Sequence, residues 1–289
     1  MNTKIFLNII ILFNPNYKNI KYTGTAFKDL SLMNQFICFY YSIKKNLKYD
    51  HQISIIHMND FNKFDLEILN NLDVDLLKYE NIDPYLSLMA IKRYEIKTKI
   101  KGTHRLIAET DMLLLKNPNF NWNADVQFGY GGLFNIEQVN RIIKEQNLSK
   151  LKNYNYNILN EHLSCLYNNN IINYELLPPS INNGLVLVKE DFSISLYNNY
   201  LEKITKNLLK EENVSKHYMF QWLMGPIFLT ATDNWIPFEK GINYLLKVNE
   251  KYINKFKKEN ISLVHYCGTG GYQVALKYFP EFFDKNILK

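Results

Sequence analysis

An α/β domain with a mainly parallel central sheet and helices on both faces is the architecture this sequence predicts, and three observations carry it. Short β-branched apolar runs alternate with segments whose apolar residues recur every three to four positions, the pattern of strands and amphipathic helices laid in turn. The chain has 289 residues, 47% of them hydrophobic and 21% charged, which is enough to bury one sizeable core. A central apolar run, RLIAETDMLLLKNP from Arg105 to Pro118, carries two acids in its middle, as a strand that ends in a ligand site would.

The first strand is IFLNIIILF, Ile5 to Phe13. Asn8 interrupts its apolar run and no small-residue cleavage site follows, so it reads as a buried strand rather than a secretory leader. In the next segment Leu32, Phe36, Phe39, Tyr40 and Ile43 recur at the spacing of a helix packed on a sheet. HQISIIHMND, His51 to Asp60, is a β-branched strand ending in polar turn residues. A short helix over Asp65 to Leu72, a short strand in DVDLLKY, and a helix over Ser87 to Ile100 lead into the Arg105–Pro118 run as one further strand. Beyond Pro118 the alternation stops. The Asn- and Lys-rich stretch Asn135 to Asn173 reads as a helical excursion over one edge of the site, within a single domain spanning 1–289. Pro178 to Phe192 is a turn feeding a strand, Ile194 to Leu209 a helix, and ISLVHYCGTGGY, Ile261 to Tyr272, the last strand.

Composition excludes several classes. The net charge of +6 is spread along the chain, and its densest basic run, Lys251 to Lys258, reads as a solvated helix face with no basic-aromatic motif for nucleic acid. Cys38, Cys165 and Cys267 are odd in number and far apart, which favours reduced thiols in a cytoplasmic compartment. No apolar run approaches the ~20 residues that span a bilayer. The C-terminal LKYFPEFFDKNILK mixes aromatics with lysines, but its acids and proline make a packed helix the better reading, with membrane contact peripheral at most. GxxxxGK[ST] does not occur, which argues against a P-loop kinase or NTPase.

Three short elements carry the chemistry. Glu109 and Asp111 fall on one face of an extended chain, and two adjacent carboxylates call for a positive partner. A hard cation such as Mg²⁺ or Mn²⁺ prefers such oxygens together with those of a diphosphate. Acid-x-acid recurs at Asp73 to Asp75, so the weight lies in the apolar strand and in Lys92, Arg93 and Lys97 on the preceding helix. The second element is SINNGLVLV, where Gly184 opens a strand to close approach and Asn182 and Asn183 offer donors and acceptors to hydroxyls. The third is VHYCGTGGY, where His265 ends a strand beside a glycine cluster whose backbone amides can face a phosphate.

In this order the three elements resemble the glycogenin-like, family 8-type group of GT-A glycosyltransferases, in which an apolar strand ends in Asp-x-Asp, a later Asn-x-Gly opens a strand, and His-x-x-Gly lies near the C-terminus. RLIAETDMLLLKNP is similar to that group's metal-binding strand, INNGLVLV to its sugar-contacting strand and VHYCG to its third metal-ligand segment. The resemblance implies the GT-A fold and a metal-dependent hexosyltransferase that uses a nucleotide-sugar donor, a UDP-sugar foremost, and a glycan, protein or lipid-linked acceptor, with retention of configuration. It implies Mn²⁺ or Mg²⁺ on Glu109, Asp111 and His265, and the donor's base and ribose near Asn8, Ile10 and the end of His57 to Asp60. Thr110 and Gly268 fall beside the diphosphate, and Asn182, Asn183, Gly184 and Gln221 beside the sugar. Arg93 adds a cationic contact from a helix surface. Glu109 stands where the group has Asp, and GTGGY replaces its Lys-Pro-Trp, leaving Lys277 or the amides of Thr269 to Gly271 to meet the diphosphate. Those departures also fit a non-catalytic nucleotide- or glycan-binding protein on the same fold.

Overall fold

The computed structural model describes residues 4–13, 31–57, 60–79, 92–130, 181–202, 224–225, 227–228, 231–239, 241–246, 258–266 and 268–283. The expected excursion at 135–173, Cys165, Cys267 and Gln221 lie outside them.

Strands β1 (Phe6–Leu12), β2 (Asp50–His57), β3 (Asp75–Lys78) and β4 (His104–Ala108) alternate with helices α1 (Leu32–Asn46) and α2 (Lys63–Asn70). After β5 (Met112–Leu114) and β6 (Val126–Tyr130) come β7 (Ile181–Lys189), helix α3 (Glu190–Leu196), β8 (Trp235–Pro237), β9 (Tyr244–Leu245), β10 (Leu263–His265) and helix α4 (Gly268–Tyr278). The large sheet has the order β3-β2-β1-β4-β7-β6-β8, and a second sheet has the order β5-β10-β9. β7 is antiparallel to both its neighbours, while the other pairs of the large sheet are parallel. The sheet is therefore mostly parallel, with one reversed strand that sequence periodicity did not reveal.

The apolar run of β1 lacks alternation because both its faces are covered. Leu7, Ile9 and Ile11 pack with Phe36, Phe39 and Ile43 of α1, whereas Ile10 packs with Ile56 and Ile96 on the other side. Ser31 caps α1 by accepting the Asn34 amide, and Lys44 and Lys45 close it where cations suit the helix dipole. Cys38 is buried in α1, and burial pushes its thiol up to about 12, which makes it an inert packing residue. At the C-terminus α4 ends at Tyr278, a 3₁₀ turn over Pro280–Phe282 follows, and Phe279, Phe282 and Phe283 are buried against Tyr266 and Tyr272. These aromatics serve the core rather than an interface.

Two further expectations are corrected. The Arg105–Pro118 run is not one strand: it breaks at Glu109–Asp111, with β4 in the large sheet and β5 in the small one. The last strand stops at His265, and the glycine cluster forms the first turn of α4 instead of a loop. Gly271 lets that helix lie against the preceding strand end, since a Cβ there would sit 1.5 Å from the Tyr266 carbonyl oxygen.

Candidate functional site

The reversed direction of β7 explains how distant motifs meet. β4 ends where β7 begins, with Ala108 opposite Leu185, and the Glu109 amide donates to the Gly184 carbonyl at 2.9 Å. The chain then turns out of the large sheet through Glu109–Asp111 and pairs β5 with β10, Met112 opposite His265. The Tyr266 amide donates to the Asp111 carbonyl at 3.0 Å, which holds His265 beside the acids. Between Phe128 and Gly129 the β6–β7 register shifts so that Gly129 faces Asn182, a bulge of β7 at Asn183–Leu185.

At this seam His265 Nε2 lies 3.2 Å from Asp111 Oδ1 and 3.4 Å from Glu109 Oε2. One ligand atom from each of the three residues lies within 4.8 Å of the others. The extra methylene of Glu109 does not take its carboxylate out of the cluster. His265 is buried, while the Asp111 side chain is 16% and the Glu109 side chain 45% exposed, so the acids open towards solvent and the imidazole closes the rear. Two carboxylate oxygens and one imidazole nitrogen make a donor set that could hold a divalent cation. Gly184 makes room for it: a Cβ there would lie 2.2 Å from His265 Cε1 and 2.7 Å from its Nδ1. Asn182 Oδ1 accepts from the Gly184 amide at 2.8 Å, which fixes the bulge and commits that oxygen to the backbone.

Other expected residues gather less tightly. Arg93, expected on a helix surface, is 1% exposed, and its Nη1 donates to the Ala108 carbonyl at 3.2 Å, beside Glu109. Burial pulls its pKa down, while the nearby Glu109 carboxylate acts in the opposite sense. Thr110 is buried at the turn and donates to Gln35 Oε1 at 3.3 Å. Asn183 lies in β7 beside Gly184, and Gly268 opens α4 three residues after His265. Lys277 sits in the last turn of α4, ~13 Å along the helix axis from Gly268 at 1.5 Å per residue. Its ammonium lies 5.0 Å from the centre of the Tyr278 ring. Asn8 lies near the amino end of β1 and is 1% exposed, and its Nδ2 donates to the Ile100 carbonyl and to Glu190 Oε2. Ile10 is core. The structure thus brings Glu109, Asp111, His265, Gly184 and Arg93 together, and places Asn8, Ile10 and Lys277 elsewhere.

Sequence reasoning missed two features. Arg105, treated only as the first residue of a strand, is fully buried, and its Nη2 meets Glu190 Oε1 at 2.5 Å. Asn243, in left-handed backbone at φ 57°, packs its amide against Gly129, where a Cβ would lie 2.6 Å from Asn243 Nδ2. The one available signal was a charged residue in an otherwise apolar strand.

No protein-family model matches this sequence, and no curated protein matches it. Solved structures do. The galactosyltransferase LgtC, determined with donor and acceptor sugar analogues, aligns with a TM-score of 0.55 at 9% identity over 96% of this chain and 95% of that one. The apo form of the glycosyltransferase GlyE from Streptococcus pneumoniae TIGR4 aligns with a TM-score of 0.52 at 11% identity, covering 99% of this chain and 64% of that one. At such identities the likeness is one of fold: the chain has the GT-A glycosyltransferase fold.

Proposed function

We propose that the protein is a metal-dependent glycosyltransferase that moves a sugar from a nucleotide-diphosphate sugar, a UDP-sugar foremost, to a glycan, protein or lipid-linked acceptor. The observation that carries this reading is the convergence of Glu109, Asp111 and His265 at the end of β4 in a GT-A fold. A cation held there supplies Lewis acidity to the departing diphosphate oxygens. Asp111 and Glu109 present their carboxylates on the open side, and His265, backed by Gly184, fixes the third direction. Arg93 places a permanent charge next to Glu109, where diphosphate or sugar oxygens arrive. Asn183 and Gln221 orient sugar hydroxyls in this scheme, and the amides at the start of α4, from Gly268 onward, take the place of the missing Lys-Pro-Trp.

The bond from the anomeric carbon to the diphosphate breaks, and a bond to the acceptor oxygen forms on the same face, with retention. The acceptor proton leaves with the diphosphate. The nucleotide end falls to the carboxyl ends of β1 and β2, near Phe13 and His57, rather than to the side chains of Asn8 and Ile10. The buried free Cys38 fits a reducing, cytoplasmic compartment. No helix among the described residues is long and apolar enough to cross a membrane.

A thermal-shift panel of UDP-, GDP- and CDP-sugars with and without Mn²⁺ tests the reading on the wild type and on Asp111→Ala. One nucleotide sugar should raise the melting temperature only when both Mn²⁺ and Asp111 are present. Turnover of that donor should fall by about 10²–10³-fold in the variant. No shift from any nucleotide sugar would sink the proposal, and a metal-dependent shift with neither hydrolysis nor transfer would favour the non-catalytic binding protein.

A further inference from the structure

We infer that the buried Arg105–Glu190 pair is a positioning device that sets the catalytic height of Arg93, an inference that rests on the transferase reading above. Arg93 lies in the helical residues 92–95, just before the chain turns towards β4. The chain leaves helical geometry after residue 95, where the Lys92 carbonyl still accepts the Ile96 amide at 3.3 Å. Two donors from other elements take the Tyr94 carbonyl, Arg105 Nη1 at 2.8 Å and Ser193 Oγ at 3.0 Å. Glu190, the first residue of α3, accepts Arg105 Nη2 at 2.5 Å and so orients the guanidinium towards that carbonyl. The other Glu190 oxygen accepts Asn8 Nδ2 at 3.1 Å, which ties the pair to β1.

The residue next to the gripped carbonyl is Arg93, whose Nη1 meets the carbonyl of Ala108, three positions along β4 from Arg105 itself. One strand therefore carries the clamp at one end and the docking point at the other. Full burial of the ion pair adds to the case. Charges buried this deeply are dear to desolvate, and apolar residues of similar size can serve stability as well. A planar guanidinium with a second fork free for a carbonyl supplies what they cannot, a fixed direction. Arg105 does not approach the metal-ligand cluster in any described contact, so its influence on turnover runs through the 92–95 turn.

A double-mutant cycle on kcat tests this with Mn²⁺ and the donor identified by the thermal-shift panel. Arg93→Met is expected to lower kcat by ~10²-fold and Arg105→Lys, which keeps the charge but loses the fork, by ~10-fold, the scale of small misplacements. The Arg93→Met/Arg105→Lys chain should be no slower than Arg93→Met alone, because a positioning residue has nothing left to position. A charge-free Arg105→Met/Glu190→Leu chain guards against simple unfolding. It should melt near the wild type, bind donor with Mn²⁺ and share the kcat loss. Additive losses in the cycle, or a charge-free chain with wild-type kcat, would overturn the inference and leave the transferase reading standing. A wild type that turns over no donor would overturn both.

Discussion

The two ends of β4 handle charge in opposite ways. At its start, His104 and Arg105 are buried, with partners from the same chain: Thr103 Oγ1 and the Trp122 carbonyl for His104, Glu190 and the Tyr94 carbonyl for Arg105. At its end, Glu109 and Asp111 bring like charges to one imidazole nitrogen and open to solvent. The first arrangement pairs its charge within the chain, leaving Arg105 Nε as a buried donor without a hydrogen bond among the described residues, and holds the fold. The second concentrates negative charge, and a cation is what completes it. A charged residue in a strand therefore says little until its compensation is known.

The sharpest way to break that comparison is to remove one acid from each end and measure urea unfolding in a chelator. Glu190→Ala strands a fully buried guanidinium and should cost about 3–5 kcal/mol. Asp111→Asn relieves a like-charge contact and should leave metal-free stability equal or raised. Comparable losses from the two variants would show that the carboxylate at the end of β4 is structural. Gly184→Ala sharpens the boundary between fold and site. Its methyl would press on the His265 ring at 2.2 Å, so we expect a loss of about 1–3 kcal/mol together with loss of Mn²⁺-dependent donor stabilisation. A variant that still shows the full metal-dependent shift would mean that His265 is dispensable as a ligand.

What could be read from the sequence was what local spacing encodes. The buried face of α1 and the strand β2 follow from periodicity, whereas the grouping of Glu109, Asp111 and His265 came from the resemblance that their short motifs carry. What could not be read depends on distant partners. The apolar run through Leu115 hides the turn at Glu109–Asp111, since only pairing with β10 shows that its second half belongs to another sheet. Arg93 sits in an ordinary helical pattern, and the carbonyl that draws it inward comes from β4. The glycine cluster was read as a phosphate loop because glycine tolerates both roles; the approach of Gly271 to the Tyr266 carbonyl decides for the helix.

The smallest expected effect lies in pH. Burial holds His104 below the usual imidazole range, reinforced by Lys189 and opposed by the Trp122 carbonyl and Glu190. The folded state thus binds a proton on this ring less readily than the unfolded chain does. With a depressed folded pKa, the contribution of His104 to stability is fully present above the unfolded value of about 6.5 and is lost as pH falls through the folded one. His104→Gln does not titrate there, and its side-chain amide can still donate to the Trp122 carbonyl. Unfolding midpoints at pH 7.5 and 5.5 should therefore draw closer together in the variant than in the wild type. Equal pH dependence in the two would mean that protonation of His104 is tolerated, and that the start of β4 is less completely compensated than its hydrogen bonds imply.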